Sequence, residues 1–114
     1  MTLNEKQFRF ARELAKLLQE AERLGFDVTM GEVWRSPETA MLYARQGKGI
    51  VNSLHCKRLA VDLNLFRNKK YLTDTESYRQ LGEWWESQST DDCQMRWGGH
   101  FSKRADGNHF EIVG

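Results

Sequence analysis

Apolar residues in the first part of the chain recur at helical spacing. From residue 4 to residue 24 they are three or four positions apart, which places on one helical face Phe8, Ala11, Leu14, Leu18, Ala21 and Leu24. Thr2 and Glu5 have the spacing of an N-terminal capping box, and Gly25 follows the last turn, where helices often end. The pattern predicts an amphipathic helix whose apolar face packs against a core.

Alternation of apolar and polar residues, the period of a β-strand, marks three later segments. These are residues 26–35, 59–66 and 109–113, with a further extended segment, broken by two glycines, at residues 95–101. Helical segments separate them over residues 36–47 and 74–88, with Ser36 as a predicted N-cap and a capping-box spacing at Thr73 and Glu76. The order of helices and strands predicts an α+β fold with a small antiparallel or mixed sheet.

The composition is that of an ordinary globular domain. The 114 residues are 39% hydrophobic and 29% charged, which suits one core and a single domain over residues 1–114. A net charge of +1 without clustered Lys and Arg argues against a nucleic-acid partner. No apolar run reaches the roughly 20 residues that span a bilayer, and the N-terminus is too charged for a signal peptide. We therefore expect no membrane insertion and a cytoplasmic protein.

One carboxylate lies in the middle of an apolar strand. In the predicted strand 59–66, Asp62 and Asn64 share one face and the leucines share the other. A buried, unpaired carboxylate is costly, so Asp62 requires a cation, which is either a metal ion or an Arg or Lys side chain. With His55 and His109 it would form the three-ligand set of a catalytic zinc site. Spacing alone leaves the metal site and a structural polar core equally open.

A catalytic zinc site also needs a carboxylate base outside the ligand set. Asp106 stands three residues before His109, in a DGNH segment whose tight turn would bring the side chain over the metal. Glu111 is the rival, because it lies two residues after His109 on the same strand face, roughly 7 Å along it. We favour Asp106 as the base and Glu111 as the partner that orients a histidine ligand.

Three segments resemble, in order, the motifs of one peptidase family. SLHCKRLAVDL at 53–63 is similar to S-x-H-x-x-G-x-A-x-D, and WGGHFSKRADGNHFEI at 97–112 to a W-G-G followed by D-x-x-H-F-E. EVWRSPETAMLYARQG at 32–47 resembles an Arg followed by a Ser/Thr-Pro-Glu helix start. These are motifs of the zinc D-alanyl-D-alanine carboxypeptidases and dipeptidases and of their phage endolysin relatives, the L-alanyl-D-glutamate endopeptidases. The resemblance covers about residues 26–113 and implies a fold of the hedgehog and D-Ala-D-Ala-peptidase type.

The resemblance implies a role for each matching residue. His55, Asp62 and His109 correspond to the zinc ligands, and Asp106 corresponds to the catalytic carboxylate. Ser53 matches a serine that lies beside the first ligand and helps to shape the site. 

A further match, Arg35, corresponds to an arginine that binds substrate or stabilises developing negative charge, a role that a fixed guanidinium can fill. The alternative is an ion pair of Arg35 with Asp62 or Glu32, which would satisfy Asp62 without a metal. Arg58 departs from the pattern, because it stands where the family usually has glycine, so the loop there is expected to differ if φ is positive.

Four other residues receive weaker assignments. Trp97 and His100 are candidates for the substrate groove, with core packing as the alternative for Trp97 and an exposed surface position for His100. Cys56 and Cys93 are not in a CxxC pattern, so we expect two free thiols rather than a disulfide or zinc ligands.

The functional hypothesis from the resemblance is a phage endolysin. It would be a monomeric zinc peptidase that cuts the L-alanyl-D-glutamate bond in the stem peptide of bacterial peptidoglycan, after release from the host cytoplasm by a membrane-permeabilising partner such as a holin. Two alternatives stay open: a D-alanyl-D-alanine carboxypeptidase, and a non-catalytic, zinc-binding structural module of a phage particle.

Overall fold

Helices pack on one face of an antiparallel sheet, in the α+β arrangement predicted from the sequence. The computed structural model describes residues 1–50 and 52–114, within which the chain forms three α-helices and five strands. The helices are α1 (Leu3–Arg23), α2 (Pro37–Arg45) and α3 (Arg79–Ser87). The strands are β1 (Asp27–Met30), β2 (Ala60–Arg67), β3 (Lys70–Tyr71), β4 (Gln94–Trp97) and β5 (His109–Val113). None of these helices is long and apolar enough to cross a membrane.

The sheet order places β2 and β5 side by side in the middle. The main path is β1-β2-β5-β4, with β3 paired to the end of β2, and every pairing is antiparallel. Val61 faces Phe110 across β2 and β5, and Phe110 faces Trp97 across β5 and β4. These three fully buried side chains belong to the face that packs on α1 and α3 through residues such as Phe10, Leu17 and Trp85.

The helix boundaries follow from their caps. Thr2 and Glu5 form the predicted capping box of α1, and Ser36 caps α2 by accepting a hydrogen bond from the Thr39 backbone N–H. The predicted box at Thr73 is wrong. Asp74 instead accepts a hydrogen bond from the Ser77 N–H, and a 3₁₀ turn precedes α3. Asp74 is the N-cap in place of Thr73, because a carboxylate is a strong N-cap.

Two strand predictions also need correction. The first strand ends at Met30 and not at residue 35, although Glu32 still pairs its carbonyl with the Asp62 N–H. The glycine-broken segment becomes β4 followed by a 3₁₀ turn over Gly98–His100. The two-residue strand β3 was not predicted, since a hairpin turn with positive φ at Asn68 and Lys69 carries no glycine signal.

Candidate metal centre

The sheet face opposite the core carries the candidate ligands. Asp62 on β2 and His109 on β5 are directly paired in the ladder, so their side chains leave the sheet side by side. His55 comes from a 3₁₀ turn over Leu54–Lys57, just before β2, and the Ser53 hydroxyl caps this turn by accepting from the His55 N–H at 3.2 Å. A ladder pair and a capped turn thus bring together three residues that are dispersed in the sequence.

The three ligand atoms have the separations of a zinc tetrahedron. Asp62 Oδ1 lies 3.3 Å from His55 Nε2 and 3.3 Å from His109 Nδ1, and the two nitrogens are 3.2 Å apart. Four ligands at the usual zinc distances of about 2.0–2.1 Å are separated from one another by about 3.3 Å. The donor set and its spacing therefore fit Zn²⁺ with a fourth position left for water or substrate.

Within the residues it describes, the structure does not show the alternative in which an Arg or Lys side chain pairs with Asp62. Among residues 1–50 and 52–114, no Arg or Lys forms an ion pair with Asp62, and Arg35 pairs with Glu32 instead. Burial disfavours the charged Asp62 carboxylate, but hydrogen bonds from His109 and His55 outweigh it and hold its pKa at about 2. A permanently ionised acid between two imidazoles is the electrostatic setting that a divalent cation requires.

A pair of side chains supports the His109 ligand from behind. Glu111 Oε1 accepts a hydrogen bond from His109 Nε2 at 2.6 Å, which leaves Nδ1 as the atom that faces Asp62. Arg96 on β4 holds the other Glu111 oxygen, with its Nε at 2.7 Å. Burial opposes the charge on both groups. Nevertheless, the contacts with Asp62 and Glu111 raise the pKa of His109 to about 9, and those with His109 and Arg96 lower the pKa of Glu111.

The support behind His55 is looser and comes from a segment that sequence reasoning did not assign to the site. Glu32 Oε1 lies 3.7 Å from His55 Nδ1 and accepts a hydrogen bond from Arg35 Nε at 2.6 Å. The one feature of the sequence that could have indicated this role is the spacing of Glu32, three residues before Arg35. Gly31 allows the approach, since a Cβ there would lie 2.8 Å from the Asp62 carbonyl oxygen.

Asp106 reaches the centre from a turn, as its spacing to His109 suggested. The Asp106 carbonyl accepts from the His109 N–H, and Oδ2 lies 3.9 Å from His109 Nδ1. The turn folds over Gly98, where a Cβ would lie 2.1 Å from the Asp106 carbonyl oxygen, so this position has no room for a side chain. Burial, reinforced by the nearby Asp62 charge, raises the pKa of the Asp106 carboxyl even though 52% of the side chain is exposed.

Arg35 is fixed beside the centre. Its backbone N–H donates to the His55 carbonyl at 3.2 Å, and its guanidinium stacks over Tyr43 at 5.0 Å. Arg35 also lines the cavity over the site, while its Nε is bound to Glu32. The guanidinium can therefore act on a bound molecule without giving up its structural contacts.

Arg58, which stands where the resembled motif has glycine, adopts a left-handed backbone conformation. Its φ of 58° and ψ of 37° are left-handed, and it ends the turn that carries His55. The condition stated from the sequence, a positive φ at this position, is met, so the arginine occupies a conformation that is strained for a residue with a side chain. Its guanidinium packs over Trp34 at 5.0 Å, a contact that offsets part of the strain.

Several predicted residues are not part of the site. Trp97 is fully buried, with its indole N–H bound to the Gly107 carbonyl at 2.7 Å, so it belongs to the core and not to a groove. His100 is partly exposed and bound to Glu86 at 2.7 Å, outside the cavity. Cys56 and Cys93 are free thiols in the part of the chain that the structure describes.

The ligand atoms open into a cavity of about 620 Å³. Its wall contains four cationic side chains, Arg35, Lys48, Arg96 and Arg104. Within the described residues, Lys48 and Arg104 form no ion pair, whereas the other two are neutralised by glutamates. Arg104 donates to the Gly47 carbonyl at 3.1 Å and so joins the two loops at the cavity mouth. Sequence reasoning missed both cations because neither stands at a fixed position of the resembled motifs.

Comparison with known proteins gives a family match and two similar folds. The sequence model described as D-alanyl-D-alanine carboxypeptidase matches residues 46–112. The Serratia marcescens L-Ala D-Glu endopeptidase ChiX is similar over 96% of this chain and 85% of its own, with a TM-score of 0.68 and 19% identity.

A second similar structure is a zinc-bound variant of VanY, the vancomycin-resistance D,D-pentapeptidase of a VanB-type cassette. The similarity covers 93% of this chain and 71% of that one, with a TM-score of 0.60 and 18% identity. None of the curated proteins compared matches the chain.

Proposed function

Because this chain belongs to the D-alanyl-D-alanine carboxypeptidase family, whose members are zinc peptidases, we propose that it hydrolyses the stem peptide of bacterial peptidoglycan. The observation that carries the proposal is the convergence of His55, Asp62 and His109 at zinc-tetrahedral separations at the floor of an open cavity. Both similar structures are peptidases named for such stem-peptide bonds, which supports this substrate class.

We assign the metal to His55 Nε2, His109 Nδ1 and Asp62 Oδ1. When bound there, zinc supplies Lewis acidity that polarises a carbonyl and lowers the pKa of water. Asp62 contributes the negative charge that retains the cation, and Glu111 fixes the tautomer and orientation of His109. Ser53 holds the His55 turn in place through its cap.

Asp106 acts as the proton carrier in this proposal. Its carboxylate takes a proton from the attacking water as the water oxygen bonds to the peptide carbonyl carbon. It then passes the proton to the amine nitrogen as the C–N bond breaks, which leaves a carboxylic acid and an amine; the acid then gives its remaining proton to the amine or to solvent, so the products are a carboxylate and an ammonium group. Its raised pKa favours this role, because a more basic carboxylate accepts a proton more readily.

Arg35 stabilises the negative charge that develops on the carbonyl oxygen. Its side chain is 13% exposed, and its guanidinium is held by Glu32 and Tyr43, so it needs little reorganisation during the reaction. Preorganised donors of this kind are worth about 10²–10³ in kcat.

We propose the L-alanyl-D-glutamate bond as the bond cut, and a phage endolysin as the biological setting. Lys48 and Arg104, the cations without a carboxylate partner at the cavity mouth, favour an acidic peptide. The alternative, trimming of terminal D-alanine, is favoured by the family's own description. An endopeptidase releases peptide from the wall and lowers the turbidity of a wall suspension, whereas a carboxypeptidase releases only free D-alanine.

Mass spectrometry of muropeptides after digestion of purified walls tests the proposal. We expect products cut between L-alanine and D-glutamate, and no products with Asp106→Ala protein. Asp91→Ala, which removes an exposed acid remote from the cavity lining, serves as the matched control and should digest normally. Release of D-alanine alone would establish the carboxypeptidase. Zinc binding without any cleavage would favour the non-catalytic module.

A further inference from the structure

One buried nitrogen beside the metal centre has no partner. In the described part of the chain, His55 Nδ1 is the one buried side-chain polar atom without a hydrogen bond, and His55 is only 2% exposed. An imidazole that binds a metal through Nε2 carries its remaining proton on Nδ1. A buried N–H group of this kind normally has an acceptor, and metal-bound histidines almost always donate that proton to one.

Glu32 is the acceptor within reach. Its Oε1 lies 3.7 Å from His55 Nδ1, so a closer approach of about 0.7 Å would give a normal hydrogen-bond length of about 3.0 Å. The side chain is 27% exposed, which leaves room for such a movement. No other carboxylate among the described residues is paired with this nitrogen.

The main chain of Glu32 is tied to another ligand. Its carbonyl accepts from the Asp62 N–H at 2.9 Å, and the preceding Gly31 N–H donates to the Asp62 carbonyl at 2.8 Å. Glu32 therefore cannot move away from the centre without disturbing β2. Its side chain is in turn held by Arg35, whose own backbone binds the His55 carbonyl.

We propose that Glu32 is a positioning residue, which accepts a hydrogen bond from His55 Nδ1–H once the metal is bound and fixes the orientation of that ligand. An Arg–Glu–His sequence of contacts then stands behind each histidine: Arg96, Glu111 and His109 on one side, and Arg35, Glu32 and His55 on the other. The inference rests on the proposed ligand role of His55 and is independent of the substrate.

Zinc affinity, measured by competition with a chromophoric chelator, tests the role. Glu32→Met keeps the side-chain length but removes the acceptor, and we expect it to weaken zinc binding by about 10–100-fold. Glu32→Gln keeps an acceptor oxygen and should recover much of the affinity. Glu38→Met, at an exposed position in the first turn of α2, is the matched control and should leave the affinity unchanged.

A second measurement separates positioning from a merely structural role. In the zinc-loaded protein, the His55 Nδ1–H proton should give a slowly exchanging NMR signal that is lost in Glu32→Met and kept in Glu32→Gln. The inference is overturned if Glu32→Met, folded by circular dichroism, binds zinc within twofold of the unsubstituted protein and keeps that signal. If His55→Ala itself leaves zinc affinity unchanged, the ligand assignment fails instead, and the two failures are thereby distinguished.

Discussion

The two histidines assigned to the metal, His109 and His55, are held in place by different kinds of structure. His109 lies on a central strand, in register with Asp62, and Glu111 meets it at 2.6 Å from the same strand face. His55 lies on a short turn that ends in a left-handed arginine, and its carboxylate partner is 3.7 Å away on another segment. The β-ladder therefore holds His109 in place without a metal, whereas we propose that metal binding completes the support of His55.

The largest expected difference between His109 and His55 is the effect of pH on the stability of the metal-free protein. The pKa of His109 is raised from 6.5 to about 9 in the folded chain, so its contribution to stability is complete below pH 6.5 and lost as the pH rises through 9. The loss is about 3 kcal/mol, since one pKa unit corresponds to about 1.4 kcal/mol.

Urea unfolding of chelator-treated protein at pH 6.5 and at pH 9.5 measures this loss. His109→Gln should remove most of the pH dependence, and His100→Gln, at the exposed histidine, should retain it. Zinc-loaded protein should not show the loss, because a ligating imidazole has already given up its proton. Equal pH dependence in His109→Gln and the unsubstituted protein would contradict the account.

The next effect compares the two supporting glutamates. Glu111→Gln replaces a direct contact to a ligand and leaves Arg96 without its carboxylate, so we expect zinc affinity to fall by about 10–100-fold. Glu32→Gln should cost less, because the contact that it changes is 3.7 Å long, against 2.6 Å for the contact of Glu111 with His109. Chelator competition on both variants checks the order. A larger loss for Glu32→Gln than for Glu111→Gln would mean that His55, and not His109, depends more strongly on its supporting glutamate.

The difference between the surroundings of His109 and those of His55 also shows which features the sequence could predict. Alternation placed Asp62 opposite the leucines of β2, because a strand has a period of two whatever its neighbours are. The pairing of Asp62 with His109 depends on the order of strands in the sheet, which no local pattern encodes. Residue types alone suggested the link and left it open against a structural polar core, and the resemblance was what favoured it.

Glu32 escaped prediction for a local reason. The sequence pattern predicts one strand over residues 26–35 and gives no indication that Glu32 approaches His55. The chain leaves the strand geometry after Met30 while keeping one more hydrogen bond to β2, which turns Glu32 toward His55. For Trp97 the sequence left the substrate groove and the core both open, and the structure places its indole fully in the core, just before the 3₁₀ turn over Gly98–His100.

The smallest effect concerns the turn that carries His55. Arg58 has a φ of 58°, so Arg58→Gly should be more stable than Arg58→Ala by about 1 kcal/mol, because both lose the contact with Trp34 and only glycine is free of strain. Thermal unfolding of the two variants measures the difference. Equal stability would mean that the left-handed conformation carries no strain, and the His55 side would then be as well supported as the His109 side.

The most direct test of the central claim is a paired measurement on Asp106→Ala protein: bound zinc per chain, and hydrolysis of purified peptidoglycan. We expect one zinc per chain, as in the unsubstituted protein, because Asp106 lies outside the ligand set. We also expect cleavage to fall by about 10²-fold or more, because the proton carrier is lost. Undiminished cleavage would contradict the role of Asp106. Loss of the zinc would show that Asp106 is itself a ligand, and the site would have to be reassigned.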